Sequence, residues 1–432
     1  MNPLSRLLTR SAWKWLYIGI GVKRWLVLLF LGITILALGF AYILANIYRE
    51  ASLPDLFFYL TLQFIPRLVR GVLFGALGIA LVVIALIKLN QSLLSAFVNE
   101  DINIVEVLYR QRARRKGPKI VALGGGTGLS TLLRGLKEHT DKLTAIVTVA
   151  DDGGSSGRLR RDLGVLPPGD FRQCIAALAD SEPLMTQLFQ YRFGEGAGLD
   201  GHSFGNLFIA AMAGITGNFE RALLESSRVL AVRGKILPST LQNVTLCADM
   251  REPAGVARVA GESEITHQGK PIERVYLEPE HVPAYPGAVR AILDADLVIA
   301  GPGSLYTSVL PNLLVEDIQH ALHASSALKV YICNVATQPG ETDEFTVQDH
   351  VDALVQHIGD DIFTHVIANN NWRVGFPENV QSKMVHPRDK EIPNFDLTLA
   401  DLADEAKPWR HDPGKLANII LKWYDTRRQI ST

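Results

Sequence analysis

Cysteine is scarce in this chain: Cys174, Cys247 and Cys333 are its three, far apart and in no CxxC pair. That usage excludes a disulfide scaffold and a cysteine-based zinc site, and it suits a reducing cytoplasm. An excess of either charge is also missing. The formal net charge is -1, so no global attraction to nucleic acid is expected. Neither a G-x-x-x-x-G-K-[ST] loop nor an H-E-x-x-H pair occurs, and no Ser–His–Asp set or cysteine nucleophile context stands out. These absences weigh against a Walker-type nucleotidase, a zincin and a covalent hydrolase.

What the chain has in plenty is apolar sequence near its start. Trp25 to Tyr48 reads WLVLLFLGITILALGFAYILANIY without a charge, roughly 36 Å of helix at ~1.5 Å per residue. That length suffices for a ~30 Å hydrocarbon core with tilt. A second run, Gly71 to Leu89, carries only Lys88, close enough to its end to snorkel. Pro54 to Val69, rich in Phe, Tyr and Leu, reads as an interfacial connection. Arg6, Arg10, Lys14, Lys23 and Arg24 precede the first run, and Arg110, Arg112, Arg114, Arg115 and Lys116 follow the second. The connection has fewer cations, so the positive-inside rule places both ends in the cytoplasm. A cleaved signal peptide is disfavoured, because the stretch is long and a second run follows. A buried hairpin in a soluble protein is the competing reading.

The expected organisation is a cytoplasmic segment 1–24, two transmembrane helices with their connection over 25–90, a basic linker 91–118 and a ligand-binding domain 119–432. The protein is expected in the cell membrane, multi-pass, with its soluble part in the cytoplasm.

Lys119 to Leu123 is a strand-type run that passes into Gly124-Gly-Gly-Thr-Gly128 and then into an apolar stretch of helical spacing, Leu129 to Leu136. Strand, glycine turn, helix aims backbone N–H groups at an anion. The turn lacks the third glycine of G-x-G-x-x-G, since Leu129 stands there, which ranks an NAD-dependent dehydrogenase low. A second strand, Leu143 to Ala150, runs into Asp151-Asp152 and a glycine–serine segment ending at Gly157. Two carboxylates at the carboxyl end of a parallel strand can bind a sugar hydroxyl, hold Mg2+ near a phosphate, or act as a base. Either one can instead cap the next helix.

Asp170 in PPGDFR reads as the N-cap of a helix from Phe171 to Ala179. Arg172, in the first turn, opposes the helix dipole; a ligand anion or a surface ion pair would explain it. His202 and Asn206, in GHSFGN, are candidate polar contacts, with a structural histidine an equal reading. Ala295 to Ala300 ends in Gly301-Pro-Gly-Ser304, with Thr307 and Ser308 beyond. This repeats the first turn and reads as a second anion cradle with free N–H groups. Two such turns suit a ligand with a diphosphate. Glu341 and Asp343 can ligate a metal or close the site, or be solvated like most acidic loop residues.

The motifs GGGTGLSTLLRGLK, TVADDGGSSGRLR, PPGDFRQCIAALA, GHSFGNL, LAVRGKILPST, GPGSLYTSVLPNLL, NVATQPGETDEFT and RHDPGKLA, in this order, resemble the YvcK family of gluconeogenesis factors within the CofD-like (2-phospho-L-lactate transferase) superfamily. The likeness covers Lys119 to Tyr424. It implies a Rossmann-like, three-layer α/β/α fold with a mostly parallel sheet, binding of UDP-sugars such as UDP-N-acetylglucosamine, and a role in cell shape and wall precursor supply. It implies ligand contacts from Gly124, Gly125, Gly126, Thr127, Gly128, Asn206, Gly301, Gly303, Ser304 and Thr307, with Asp151 and Asp152 near any chemistry. Mg2+ is the one cofactor the reading allows, without an assigned ligand set. A homo-oligomer is left open. A regulatory binder without turnover is preferred to a transferase moving a phospho-acid group from a nucleotide carrier to a hydroxyl.

Overall fold

Apolar runs of four or five residues build one parallel sheet whose strand order decides where a ligand can sit. The computed structural model describes residues 31–41, 59, 62, 64–95, 114–180, 183–194, 198–253, 255–373, 375–389 and 391–431. The chain divides into two compact units, Met1–Gln111 and Arg112–Thr432.

In the first unit, positions 31–41 are helical, and a longer helix, α1, spans Arg67–Ser95. Apart from Arg70, the side chains of α1 described through position 84 are apolar yet mostly exposed; Leu68 is 80% and Leu77 56% accessible. Among the described residues no helix is long and apolar enough to cross a membrane. The uncharged part of α1 with described side chains, 71–84, amounts to roughly 21 Å, against a ~30 Å core. The expected transmembrane hairpin is therefore not shown. Most of its first half, Trp25–Tyr48, and most of the basic linker lie outside the described residues.

In the second unit the strands are β1 (Ile120–Gly124), β2 (Leu143–Val147), β3 (Lys235–Pro238), β4 (Thr245–Glu252), β5 (Gly255–Ala260), β6 (Ile272–Glu278), β7 (Leu297–Ala300), β8 (Leu328–Ile332), β9 (His365–Asn369) and β10 (Asp396–Ala400). Seven of them form the sheet β10-β9-β8-β7-β1-β2-β3, in which all neighbouring strands pair in parallel. All residues of β1 and β7 are buried, as strands covered on both faces must be. From β1 the chain moves outward through β2 to β3. It then returns to lay β7 beside β1, Ile120 opposite Leu297, and moves outward the other way. The β1/β7 gap is therefore the topological switch point, where the connections diverge and leave a crevice at the strands' carboxyl ends.

The helices used below are α2 (Gly126–Leu136), α3 (Gly154–Leu163), α4 (Gly169–Leu178), α5 (Phe204–Thr216), α6 (Glu262–Gln268), α7 (Pro286–Leu293), α8 (Glu316–Ala324) and α9 (Pro413–Ser431). Leu129, Leu132, Leu133 and Leu136 recur at helical spacing and bury the core face of α2. This helix packs with α4 and α9, while α7 packs with α8. The α/β, Rossmann-like architecture with its parallel sheet is thus present. An element the sequence reading did not anticipate is a three-stranded antiparallel sheet, β5-β4-β6, with α6 packed on β4.

Candidate functional site

The glycine turns after β1 and β7 touch. A Cβ built on Gly128 would lie 2.4 Å from the Pro302 carbonyl oxygen and 2.7 Å from Gly303 Cα, so only glycine lets the two backbones approach this closely. Gly126 at φ 58° takes a left-handed conformation that side chains disfavour. Asn334 clamps the second turn: its Oδ1 accepts from Gly303 N at 3.1 Å and its Nδ2 donates to Gly303 O at 2.8 Å. Asn312 Nδ2 donates to Gly124 O at 3.0 Å and Ser308 O at 2.9 Å, tying the first turn to the second. Between them opens a cavity of about 360 Å³ lined by Gly125–Gly128, Gly303, Ser304, Asn334 and, from the far side, Trp409, Arg410 and His411. A wider groove of about 490 Å³ runs along α9 near His139 and Lys422, but no glycine turn faces it.

The amides are shared out differently from the expectation. At the first turn, Gly126 N donates to the buried carboxyl of Asp170, while Thr127 and Gly128, at the second and third positions of α2, have no intrahelical acceptor. At the second turn, Gly301 N donates to Leu123 O at 2.9 Å, Pro302 has no N–H, and Gly303 N is held by Asn334. Beyond Ser304, the amides of Tyr306 and Thr307 face an internal carboxylate, that of Glu341. The Thr307 hydroxyl donates to Glu341 Oε1 at 2.9 Å, and Thr266 Oγ1 does so at 3.3 Å. The expected cradle of free N–H groups is thus already occupied there by the protein's own anion. Ser304 has no side-chain cap bond and lines the cavity.

Asp170 is not the N-cap of its helix, because α4 begins one residue earlier, after Pro168; its carboxyl turns back to the glycine turn. Asp151 accepts from Gly153 N at 2.9 Å. Asp152 accepts from Ser263 N at 2.9 Å, and so caps the start of α6 across 111 residues of chain. Asn206 does not line the cavity between the turns. It donates to Ser155 Oγ at 3.1 Å and accepts from Arg172 Nε at 2.9 Å, and Ser155 Oγ meets His202 Nδ1 at 2.9 Å. Arg172 is therefore a buried side chain and no surface ion pair.

With this geometry in view, comparison with known proteins is informative. Residues 120–404 match the family model described as 2-phospho-L-lactate transferase CofD. A relative from Nostoc sp. (strain PCC 7120) is 44% identical over 95% of this chain and 92% of its own. The gluconeogenesis factor of Bacillus subtilis (strain 168) is 48% identical over 70% of this chain and 97% of its own. A crystal structure of a UPF0052-family protein from Bacillus halodurans covers 71% of this chain and 99% of its own, at 44% identity and TM-score 0.65. The chain belongs to the CofD-like family of gluconeogenesis factors.

In this family member the cavity is flanked by carboxyls that burial holds partly protonated. Burial and the nearby Asp151 push Asp170 up to about 7. Burial, with Asp151 and Asp170 adding repulsion, pushes Glu262 up to about 8. Glu341 rises to about 7 through burial, against the hydroxyls that bind it, and burial raises Asp151 as well. Among the described residues no group of three or more His, Cys, Asp or Glu is arranged to hold a metal ion, so no step is derived through one. The sequence reading assigned no role to Asn334, Trp409, Arg410 or His411. The motifs NVATQPGETDEFT and RHDPGKLA contained Asn334, Arg410 and His411, with Trp409 one residue before the second, but nothing in their spacing told that they meet the glycine turns.

Proposed function

We propose that this gluconeogenesis factor binds a nucleoside diphosphate-sugar, of the UDP-N-acetylglucosamine type, in the cavity between the two glycine turns. On this reading it acts as a regulator of wall precursor supply and cell shape and does not turn the ligand over. The observation that carries the proposal is the meeting of Gly128 with Pro302 and Gly303 over a cavity at the switch point. The amides of Thr127 and Gly128 suit one phosphate, Ser304 suits the other, and the volume is that of an ordinary small-molecule site. Gly124, Gly125 and Gly126 would shape the turn, Gly301 and Gly303 the opposite wall. Titration calorimetry on the full-length chain with UDP-N-acetylglucosamine, a GDP-type carrier and NAD tests this. Ser304→Ala should weaken the UDP-sugar by roughly 1–3 kcal/mol. Binding of NAD alone would sink the proposal.

The family model's description supports a second reading, transfer of a phospho-acid group from a nucleotide carrier to an acceptor hydroxyl. Asp151 or Asp152 would then assist, with Mg2+ where the enzyme needs it. Release of UMP or UDP from a bound UDP-sugar at enzymatic rates would favour it. For the first unit we propose a membrane anchor with the second unit in the cytoplasm. An apolar helix exposed around its circumference, like α1, needs lipid or protein around it. A reporter fused after Thr432 should be active only in the cytoplasm.

A further inference from the structure

GHSFGN, the serine-rich start of α3 and the start of α4 remain without a part in the nucleotide cavity, yet they converge on one side chain. Arg172 is 8% exposed. Its methylene stem runs over Gly205, where a Cβ would come within 2.8 Å of both Cγ and Cδ. Its Nε is held by Asn206 Oδ1, Asn206 is held by Ser155, and Ser155 is held by His202. Ser203 Oγ fixes the Asn206 amide from the N-cap of α5. A relay of this kind fixes where the guanidinium fork points.

The fork itself is left open. An arginine carries five N–H donors, and among the described residues Nε is the one that meets a protein acceptor. No carboxylate of the described residues forms an ion pair with it; burial and then Arg192, of like sign, lower the guanidinium's proton affinity, while the Asp170 and Asp151 carboxyls act the other way. Asp170 makes no ion pair with it, and burial pushes that carboxyl up to about 7. Arg192 Nη1 is anchored on Gly201 O at 3.1 Å, and Arg158 Nη2 on Asp200 O at 2.5 Å. Two guanidinium groups are therefore anchored on the loop 200–203, and that of Arg172 is held just beyond it, at Asn206. No Arg172 nitrogen is a buried atom left without a partner, so a fork with no ion-pair partner lies open to a ligand, and its plane matches the two oxygens of an oxyanion.

We propose that Arg172, with Arg192 at its edge, forms an anion subsite separate from the glycine turns, taking the carboxylate or phosphate group of a small molecule.

The test uses the full-length chain and two probes, malonate for the carboxylate and inorganic phosphate for the phosphate, followed by the rise in melting temperature with probe concentration. Wild type should respond to at least one. In Arg172→Met, which keeps the stem and removes the charge, the apparent affinity should fall at least tenfold. In Gly128→Ala, which disturbs the glycine turns, the response should persist. Which probe acts at lower concentration assigns the carboxylate or the phosphate. Arg172→Lys, which keeps charge without the fork, should also fall at least tenfold and covers failure of the methionine variant to fold. The inference is overturned if wild type responds to neither probe, if the arginine variants respond as wild type does, or if the response disappears in Gly128→Ala alone. None of these outcomes depends on UDP-sugar binding, so the two proposals stand or fall separately.

Discussion

Gly128→Ala puts the closeness of the two turns to a quantitative test. The added methyl would sit 2.4 Å from the Pro302 oxygen and 2.6 Å from its carbonyl carbon, against an ordinary contact of about 3.5 Å or more. Both neighbours are backbone, so no flexible tip can swing aside. One turn must move by about an ångström, and Asn334 and Asn312 resist that on both sides. Overpacking of this kind costs about 1–3 kcal/mol. A per-residue unfolding entropy of about 2.1 cal/mol/K, over a unit from Arg112 to Thr432, converts this to a fall of roughly 1.5–4.5 °C. Gly214→Ala is the matched control, because a Cβ there has nothing within 4 Å and lies inside α5. Its helix propensity should stabilise by about 0.5–1 kcal/mol. Differential scanning calorimetry of both variants decides the matter. Equal melting temperatures for Gly128→Ala and wild type would mean that the turns do not touch and the shared cavity is misdrawn.

The buried carboxyls give a pH prediction whose sign follows from linkage. Asp170 and Glu341 near 7 and Glu262 near 8 lie above ordinary carboxyl values, so the folded state keeps protons that the unfolded chain has lost, and stability should fall as pH rises from 6.5 to 8, by about 2–3 kcal/mol at ~1.4 kcal/mol per proton and pH unit. Below 6.5, burial of His411 and His365, both lowered to about 4, works the other way, so a melting temperature that rises from pH 6.5 to 8 would contradict the assignment. Glu341→Gln keeps an acceptor for the Thr307 hydroxyl without the charge, and should shrink that pH-dependent loss in the same melts. Asn334→Ala removes both bonds to Gly303 and should cost about 1–3 kcal/mol in denaturant unfolding, whereas an unchanged midpoint would show that the clamp is idle.

The glycine turns and the strands before them were legible because they are local. IVALG followed by GGTG, and LVIA followed by GPGS, combine a buried strand with a turn that only small residues allow, and each signal sits within about ten residues. The expected strand ends were off by a few residues where apolar sequence runs past the last ladder bond: Leu143–Ala150 was expected, whereas β2 stops at Val147. The antiparallel sheet escaped notice because β5 is a six-residue edge strand with no buried residue, and β4 carries charges through its second half, Asp249, Arg251 and Glu252.

The candidate site shows where local reading ends. Thr307 looked like a ligand contact because hydroxyls at a helix start seek anions. That logic was sound, but the anion is Glu341, which lies 34 residues on and reaches the spot only through tertiary folding. Asn206 and Arg172 were noticed separately, one as a polar loop residue and one as a cation at the wrong end of a dipole. Their hydrogen bond spans 34 residues, and it turns two unremarkable features into one: a fixed guanidinium held below the surface. Sequence spacing can say that a residue wants a partner. Which partner it finds depends on the crossing of chain segments, so an arginine whose fork meets no acceptor among the described residues is the one we assign to a ligand.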